Sequence, residues 1–272
     1  MENAEIDHLL NWIKLEHGYD FLNYKKASLR RRLEFFLATQ KKASLSEIFP
    51  LICENGSLLQ ALVATFSIHV TEMFRDPDIY RVIREKILPK LATFSQIKIW
   101  SAGCSSGLEP YSLAILLAEA DLLRKSQIYA TDISSDILDK AKDGIFEEKE
   151  YIQYSQNYYN SGGQTPFSEF FHFNRNHVIV ADRLKKHISF FRHNLTSDTG
   201  FIEVQLIVCS NVMIYFNEIL QKSVLRIFYD SLHNFGYLVL GSKEKVPESM
   251  SGLFEKISHN LPVYKKVAYE KN

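Results

Sequence analysis

The residues best suited to hold a ligand stand together at Ser101-Ala102-Gly103-Cys104-Ser105-Ser106-Gly107, followed at once by Leu108-Glu109-Pro110-Tyr111. Small residues let a backbone come close to a bound molecule, and a helix starting behind them offers unpaired N–H groups. Glu109 narrows what that molecule is. A carboxylate there repels a phosphate but attracts an ammonium or sulfonium group. The two glycines are also too far apart for the GxGxxG dinucleotide fingerprint, and a cofactor without a pyrophosphate does not need that fingerprint. A second candidate is Thr131-Asp132, at the end of an apolar run. A carboxylate at a strand end can accept from both hydroxyls of a ribose, and it can equally cap the following helix, expected to start near Ser134. Asn211 ends the strand-like run 204–211, Tyr215 lies just beyond it, and both would stand at the mouth of the same crevice. Tyr215 is then either a group facing substrate or a buried phenol. Cys104 and Cys209 lie close by and read as small packing residues.

These groups need a scaffold that brings strand ends together. Strand-like runs occur at 97–100, 128–132, 188–194, 204–211, 236–241 and 262–269, with helical patterns at 110–124, 134–143 and 217–233. Strands alternating with helices predict a mostly parallel, doubly wound α/β sheet over 96–272. The stretch 145–187 breaks the alternation; it is rich in Tyr, Phe, Asn and Ser and predicts a small insertion of short antiparallel strands or helices.

The first 75 residues differ in class. Ile6, Leu9, Leu10 and Ile13, then Leu29, Leu33, Phe36 and Leu37, then Leu58, Leu59, Leu62, Val63 and Phe66 recur at helical spacing, which predicts an all-helical N-terminal domain of about four helices. Ser28 is a candidate cap, and Ser44 with Glu47 a candidate capping box. Asp76-Pro77-Asp78 and Leu88-Pro89 read as breaks, making 76–95 a linker with one short helix.

At 272 residues, 46% of them hydrophobic, the chain can bury one large core and a smaller one. Formal net charge is zero, so no overall field draws in nucleic acid or a membrane surface. Charge is uneven locally. Lys25, Lys26, Arg30, Arg31, Arg32, Lys41 and Lys42 face only Glu34 between 25 and 42, which makes either a solvated face or a dock for an acidic surface. Three cysteines without CxxC pairing argue against a disulfide framework or a metal site. With no membrane span or signal peptide in the sequence, a cytoplasmic monomer is expected.

Ile99-Trp100-Ser101-Ala102-Gly103-Cys104-Ser105-Ser106-Gly107, Glu109-Pro110-Tyr111-Ser112, Ala130-Thr131-Asp132-Ile133, Asn194-Leu195 and Asn211-Val212-Met213-Ile214-Tyr215-Phe216, in that order, closely resemble the chemotaxis receptor methyltransferase (CheR) family. Thr71-Glu72-Met73-Phe74-Arg75-Asp76 resembles that family's motif next to the linker. The resemblance implies a Rossmann-like class I methyltransferase sheet, an all-helical N-terminal domain and a small inserted β-subdomain. It also implies transfer of a methyl group from S-adenosylmethionine, leaving S-adenosylhomocysteine, to glutamate side chains on chemoreceptor cytoplasmic helices. The basic face at 25–42 would dock those helices, and no nucleic acid is expected as partner.

The family's roles fall on particular positions. Glu109 would meet the cofactor's α-amino group, Asp132 its ribose, and Asn194 with Leu195 its adenine. Gly103, His69, Thr71, Arg75, Ser210 and Asn211 would also border the cofactor, and Arg75 and Tyr215 would orient the substrate. Some positions depart from the pattern: Ser210 stands where the family commonly has Arg, His69 where it often has Asn, Met73 in place of the first of two Phe, and Ser242-Lys243 where His-Ser is usual before Glu244. A cofactor-binding module of weak turnover, or an enzyme with another acceptor, are the alternatives.

Overall fold

Ile97, Ile99, Trp100 and Ala102 are almost wholly buried because their strand, β1 (Ile97–Ala102), lies inside a seven-stranded sheet. The computed structural model describes residues 1–66, 71–200 and 202–267. The chain forms two units: Met1–Ile68 with Tyr215–Val224, and His69–Ile214 with Leu225–Asn272.

The larger unit is built on that sheet. Its other strands are β2 (Ser126–Asp132), β6 (Ile188–Arg192), β7 (Val204–Cys209), β8 (Leu232–Leu240), β9 (Phe254–Lys256) and β10 (Val263–Lys266); β3 (Ile145–Glu147), β4 (Phe171–Asn174) and β5 (His177–Val180) form a separate small sheet. The large sheet runs β6-β2-β1-β7-β8-β10-β9. Its first five strands are parallel and β10 is antiparallel to both neighbours, the order of a class I methyltransferase fold. Chain order reverses between β1 and β7, so the crevice for a ligand opens at the carboxyl ends of these two strands. Register is held by side chains as well as by the ladder: Trp100 Nε1 donates to Thr131 Oγ1 (2.8 Å), and Lys98 N–H donates to Gln205 Oε1 (2.7 Å).

Helices of this unit include α7 (Leu108–Glu119), which follows β1, α8 (Ser135–Asp143), which follows β2, and α11 (Glu218–Ser231), whose first half belongs to the other unit. The insertion adds α9 (Glu148–Asn160) and the single turn α10 (Asp182–Lys185) to the three-stranded sheet β3-β5-β4. Its aromatic residues Phe146, Tyr154, Tyr158, Phe167, Phe170 and Phe171 join the main core, which explains the run of Tyr and Phe.

The segment expected as a linker is instead core. α5 (Pro77–Val82), a π-turn over Ile83–Ile87 and α6 (Leu88–Leu91) make one continuous helical stretch that buries Ile79, Tyr80, Ile83, Ile87, Leu88 and Leu91. Neither proline breaks it. Pro77 occupies the first turn, where its missing N–H is no loss. Before Pro89 the helix widens, and Leu88 N–H reaches back five residues to Ile83 O. Met73 and Phe74 are also buried in this core, so the helical N-terminal unit ends earlier than residue 75.

A buried carboxylate fastens these parts together. Glu119, at the end of α7, accepts from Arg84 Nη2 (2.7 Å), Tyr158 Oη (2.5 Å) and the backbone N–H groups of Gln164 and Thr165 (3.1 and 3.2 Å). Burial pushes its pKa up, but these bonds outweigh it and hold the group below its ordinary value.

The smaller unit contains α1 (Asn3–His17), α2 (Lys26–Thr39), α3 (Leu45–Glu54) and α4 (Gly56–Phe66), closed over Ile6, Leu10, Ile13, Phe21, Leu29, Leu33 and Phe66. Ser44 caps α3, accepting from Glu47 N–H (3.4 Å). Ser28 caps nothing, because α2 already starts at Lys26. The basic face of α2 is partly engaged. Lys26 pairs with Asp7, Arg30 donates to Met1 O and to Asn3 Oδ1 (2.8 Å), and Arg32 donates to Thr65 O (2.7 Å). Lys25, Arg31 and Lys41 are exposed. Among the described residues, no helix is long and apolar enough to cross a membrane.

Candidate active site

The turn after β1 is held by the end of β2. Gly103 N–H and Cys104 N–H both donate to Thr131 O (2.8 and 2.9 Å), and Ser105 N–H donates to Asp132 Oδ2 (2.9 Å). Gly103 has φ +75°, and a Cβ there would lie 2.4 Å from Val212 Cγ2. Only glycine fits, because the loops after β1 and β7 touch at this point of the crevice. Gly107, at φ +86°, turns the chain into α7. Asp132 Oδ1 accepts from Ser134 N–H (3.1 Å), but the cap of α8 is Ser134 itself, which accepts from Ile137 N–H (3.4 Å). Asp132 therefore organises the glycine turn and does not serve as the helix cap.

Glu109 sits buried in the first turn of α7. Ser101 Oγ donates to its Oε1 (2.7 Å), and the Ser210 hydroxyl also hydrogen-bonds to it. Burial pushes its carboxyl up to about 7; the Ser101 and Ser210 hydroxyls pull it down, nearby Glu244 pushes it further up, and Arg75 pulls it down. Its hydrogen-bonding neighbours are thus neutral, and Arg75 is the nearby cation. The thiols of Cys104 and Cys209 are pushed well up by burial and by the surrounding carboxylates, so neither is a nucleophile at neutral pH.

Arg75 reaches this site from a fastened segment. Phe74 N–H donates to Ser112 Oγ on α7 (3.0 Å), and Met73 O accepts from Asn157 Nδ2 (3.1 Å). Both neighbours of Arg75 are left-handed, Phe74 at φ 51° and Asp76 at φ 57°. Non-glycine residues in that region cost about 1–2 kcal/mol each, which the surrounding hydrogen bonds must outweigh. Nothing in the sequence marks this strain. Thr71 is half-buried at the start of the same segment, and His69 lies outside the described residues.

The loop after β7 has an anchor that the sequence reading left without a role. Glu244, buried, accepts from Gly241 N–H (2.7 Å) and Asn211 N–H (2.9 Å) on Oε2, and from Ile214 N–H (3.1 Å) on Oε1. Burial raises its pKa and these backbone bonds lower it, with a net rise. A carboxylate in a glycine- and serine-bearing loop just past an apolar strand was the available signal. Asn211 has φ 61°, and its buried Nδ2 has no hydrogen-bond partner among the described residues.

Next to Asp132, His193 N–H donates to Asp132 O (3.0 Å). Asn194 follows, half-buried, its Oδ1 accepting from Thr196 N–H (3.0 Å) and Oγ1 (2.8 Å), which leaves the side-chain amide to donate; Leu195 is buried beside it. The structure thus gathers Ser101, Gly103, Glu109, Asp132, Asn194, Leu195, Ser210, Asn211 and Arg75 in one unit, along the ends of β1, β2, β6 and β7. Tyr215 falls in the other unit, where its carbonyl accepts from Lys25 N–H (2.7 Å) and the Arg32 guanidinium lies 5.2 Å from the centre of its ring.

Comparison with known proteins identifies the family. Residues 69–262 match the family described as CheR methyltransferase, SAM binding domain, where SAM is S-adenosylmethionine, and residues 4–67 match CheR methyltransferase, all-alpha domain. The chain is 40% identical over 265 residues to the Pseudomonas putida protein Cher3, covering 97% of each. It is 30% identical to a chemotaxis protein methyltransferase of Listeria innocua, covering 86% of this chain and 87% of that one. It is 32% identical to a chemotaxis protein methyltransferase of Vibrio anguillarum, covering 85% of this chain and 84% of the other. The chain belongs to the CheR family of methyltransferases, whose cofactor is S-adenosylmethionine.

Proposed function

We propose that this protein methylates glutamate side chains on the cytoplasmic helices of chemoreceptors. The observation that carries the reading is the buried Glu109, whose hydrogen-bonding partners Ser101 and Ser210 are neutral, so that the ammonium group of the cofactor completes it. The residues at the strand ends fit the rest of that molecule. Asp132 would accept from the ribose hydroxyls, the Asn194 amide and Leu195 would frame the adenine, and the Asn211 Nδ2, without a partner among the described residues, would offer a donor. S-adenosylmethionine supplies a methyl group already activated by its sulfonium.

A glutamate side chain, with a reference pKa of about 4.3, is ionised at neutral pH and needs no general base. In keeping with this, the Cys104 and Cys209 thiols beside the crevice are pushed well up by burial. The protein's share is positioning and exclusion of water, worth about 7–11 kcal/mol at best. Tyr215 keeps the substrate-side part that the family resemblance gives it, and Arg75 would orient the incoming carboxylate. An ion pair that held it too firmly would slow the reaction, because the carboxylate loses its charge on methylation. Lys25, Arg31 and Lys41, exposed on and beside α2, dock the acidic receptor surface. The names of the Listeria and Vibrio relatives support chemotaxis as the setting.

The test is transfer of tritiated methyl from S-adenosylmethionine to a receptor cytoplasmic fragment. Label released as methanol by mild base is the expected result. Base-stable label assigns another acceptor. Cofactor binding without any transfer assigns a regulatory module, the reading that Ser210 in place of the family's common Arg would favour.

A further inference from the structure

At the amino ends of β2 and β6, opposite the crevice, lies a half-open cavity of about 470 Å³. Arg124, Arg183, Lys186 and His187 line it, with Asp121 its one acidic residue and Leu123 part of an apolar wall. Its place in the fold separates it from the cofactor. His187 immediately precedes β6, its Nδ1 lies 3.2 Å from Ser126 O, and Ser126 is the first residue of β2. Asp132 is the last residue of β2, about 20 Å further along the strand at the usual rise per residue.

The chain as a whole is neutral, so a cationic cavity needs explaining. Neighbouring cations are engaged elsewhere: Lys125 Nζ donates to Ala92 O (2.6 Å) and Phe94 O (2.8 Å), and Lys185 pairs with Asp182 (3.5 Å). Arg124, Arg183 and Lys186 form no ion pair among the described residues. Arg183 is held in place, its guanidinium 5.4 Å from the centre of the Phe170 ring and one Nη2 bond going to Glu169 O (2.9 Å). The rest of its fork remains to donate. The C-terminal end of α7 borders the cavity, yet the carbonyls of Leu116, Leu117 and Ala118 are all occupied by the N–H groups of Ala120, Leu122 and Asp121.

Two guanidinium groups and an ammonium around a concavity of this volume match a small ligand with several acidic oxygens better than a flat acidic surface. We propose that this cavity binds an organic phosphate of the nucleoside diphosphate class, its phosphoryl groups on Arg124, Arg183 and Lys186 and its apolar part against Leu123.

The test is calorimetric titration of the full chain, saturated with S-adenosylhomocysteine to fill the crevice, with ADP and separately with inorganic pyrophosphate. Saturable binding of ADP is expected, weaker at higher salt, and weakened about tenfold in the Arg124→Ala/Lys186→Ala double variant. Both positions are exposed, and an unchanged affinity of that variant for S-adenosylhomocysteine shows that it is folded. Pyrophosphate binding at the same residues but more weakly than ADP supports the part given to Leu123. Saturable binding by neither anion, or binding that the double variant leaves unchanged, overturns the proposal.

Discussion

Glu109 makes cofactor affinity depend on pH in a calculable way. In the free protein its carboxyl is pushed up to about 7 by burial, against the hydroxyls of Ser101 and Ser210. An ammonium partner favours the carboxylate, so binding must first remove the proton wherever it is present. The apparent dissociation constant then scales with one plus the ratio of protonated to ionised Glu109. Between about pH 7.5 and about pH 6.0 this factor rises from about 1.3 to about 11, an affinity loss of about eightfold toward acid. The ligand's own amino group titrates above this range. Glu109→Gln keeps the size and removes the titration, so its profile is expected to be flat across the same range. Its affinity is expected to be about ten- to a hundredfold weaker at pH 7.5, the loss of a charge-assisted bond. The assay is isothermal titration with S-adenosylhomocysteine at several pH values. A wild-type profile that is flat, or that tightens toward acid, refutes the reasoning; so does a Gln variant that keeps the wild-type slope, since Glu244 or another group would then be responsible.

Gly103→Ala places a methyl group 2.4 Å from Val212 Cγ2 at a positive φ, and a loss of about 2–4 kcal/mol in stability is expected, with weaker cofactor binding, read by denaturant unfolding and by titration. Glu119→Ala removes the partner of Arg84, Tyr158 and two backbone N–H groups; a loss of about 2–3 kcal/mol is expected at neutral pH, together with faster proteolysis at Gly162-Gly163. Because the fold holds the Glu119 carboxyl below its ordinary pKa, its contribution is present at neutral pH and disappears as pH falls through that lowered value. Arg75→Ala and Tyr215→Phe are expected to lower turnover more than affinity for S-adenosylhomocysteine, and full methyl transfer by both variants would remove them from the substrate side.

Much of the crevice was legible because it is made of local signals. The small residues at 101–107 must form a turn, and an acid closing the next strand must stand beside it. The errors share a different cause. Pro77 and Pro89 look like breaks until one sees that the first begins a helix and that a π-turn precedes the second. β9 is only three residues long at the edge of the sheet, too short for a pattern. β8 begins at Leu232, ahead of the expected 236, because Phe235 at φ 62° and a register shift opposite Val204 and Leu206 interrupt its alternation. The role of Glu244 depends on three N–H groups that only tertiary structure brings to it. The engagement of Arg30 and Arg32 by backbone carbonyls is likewise invisible in a count of charges.

The return of Tyr215–Val224 to the helical unit makes that unit discontinuous in sequence. There Phe216 meets Tyr24 edge-on at 4.9 Å, and Asn217 donates through its backbone N–H to Asn23 O (2.8 Å) and through Nδ2 to Asn23 Oδ1 (3.1 Å). A fragment begun at residue 69 would therefore keep a stretch of helical-unit chain while losing the residues that cover it. Phe216, buried in the intact protein, would lose the Tyr24 ring it packs against. Severing the backbone ahead of the sheet does not release a self-contained catalytic half; a working dissection would have to redesign those ten residues.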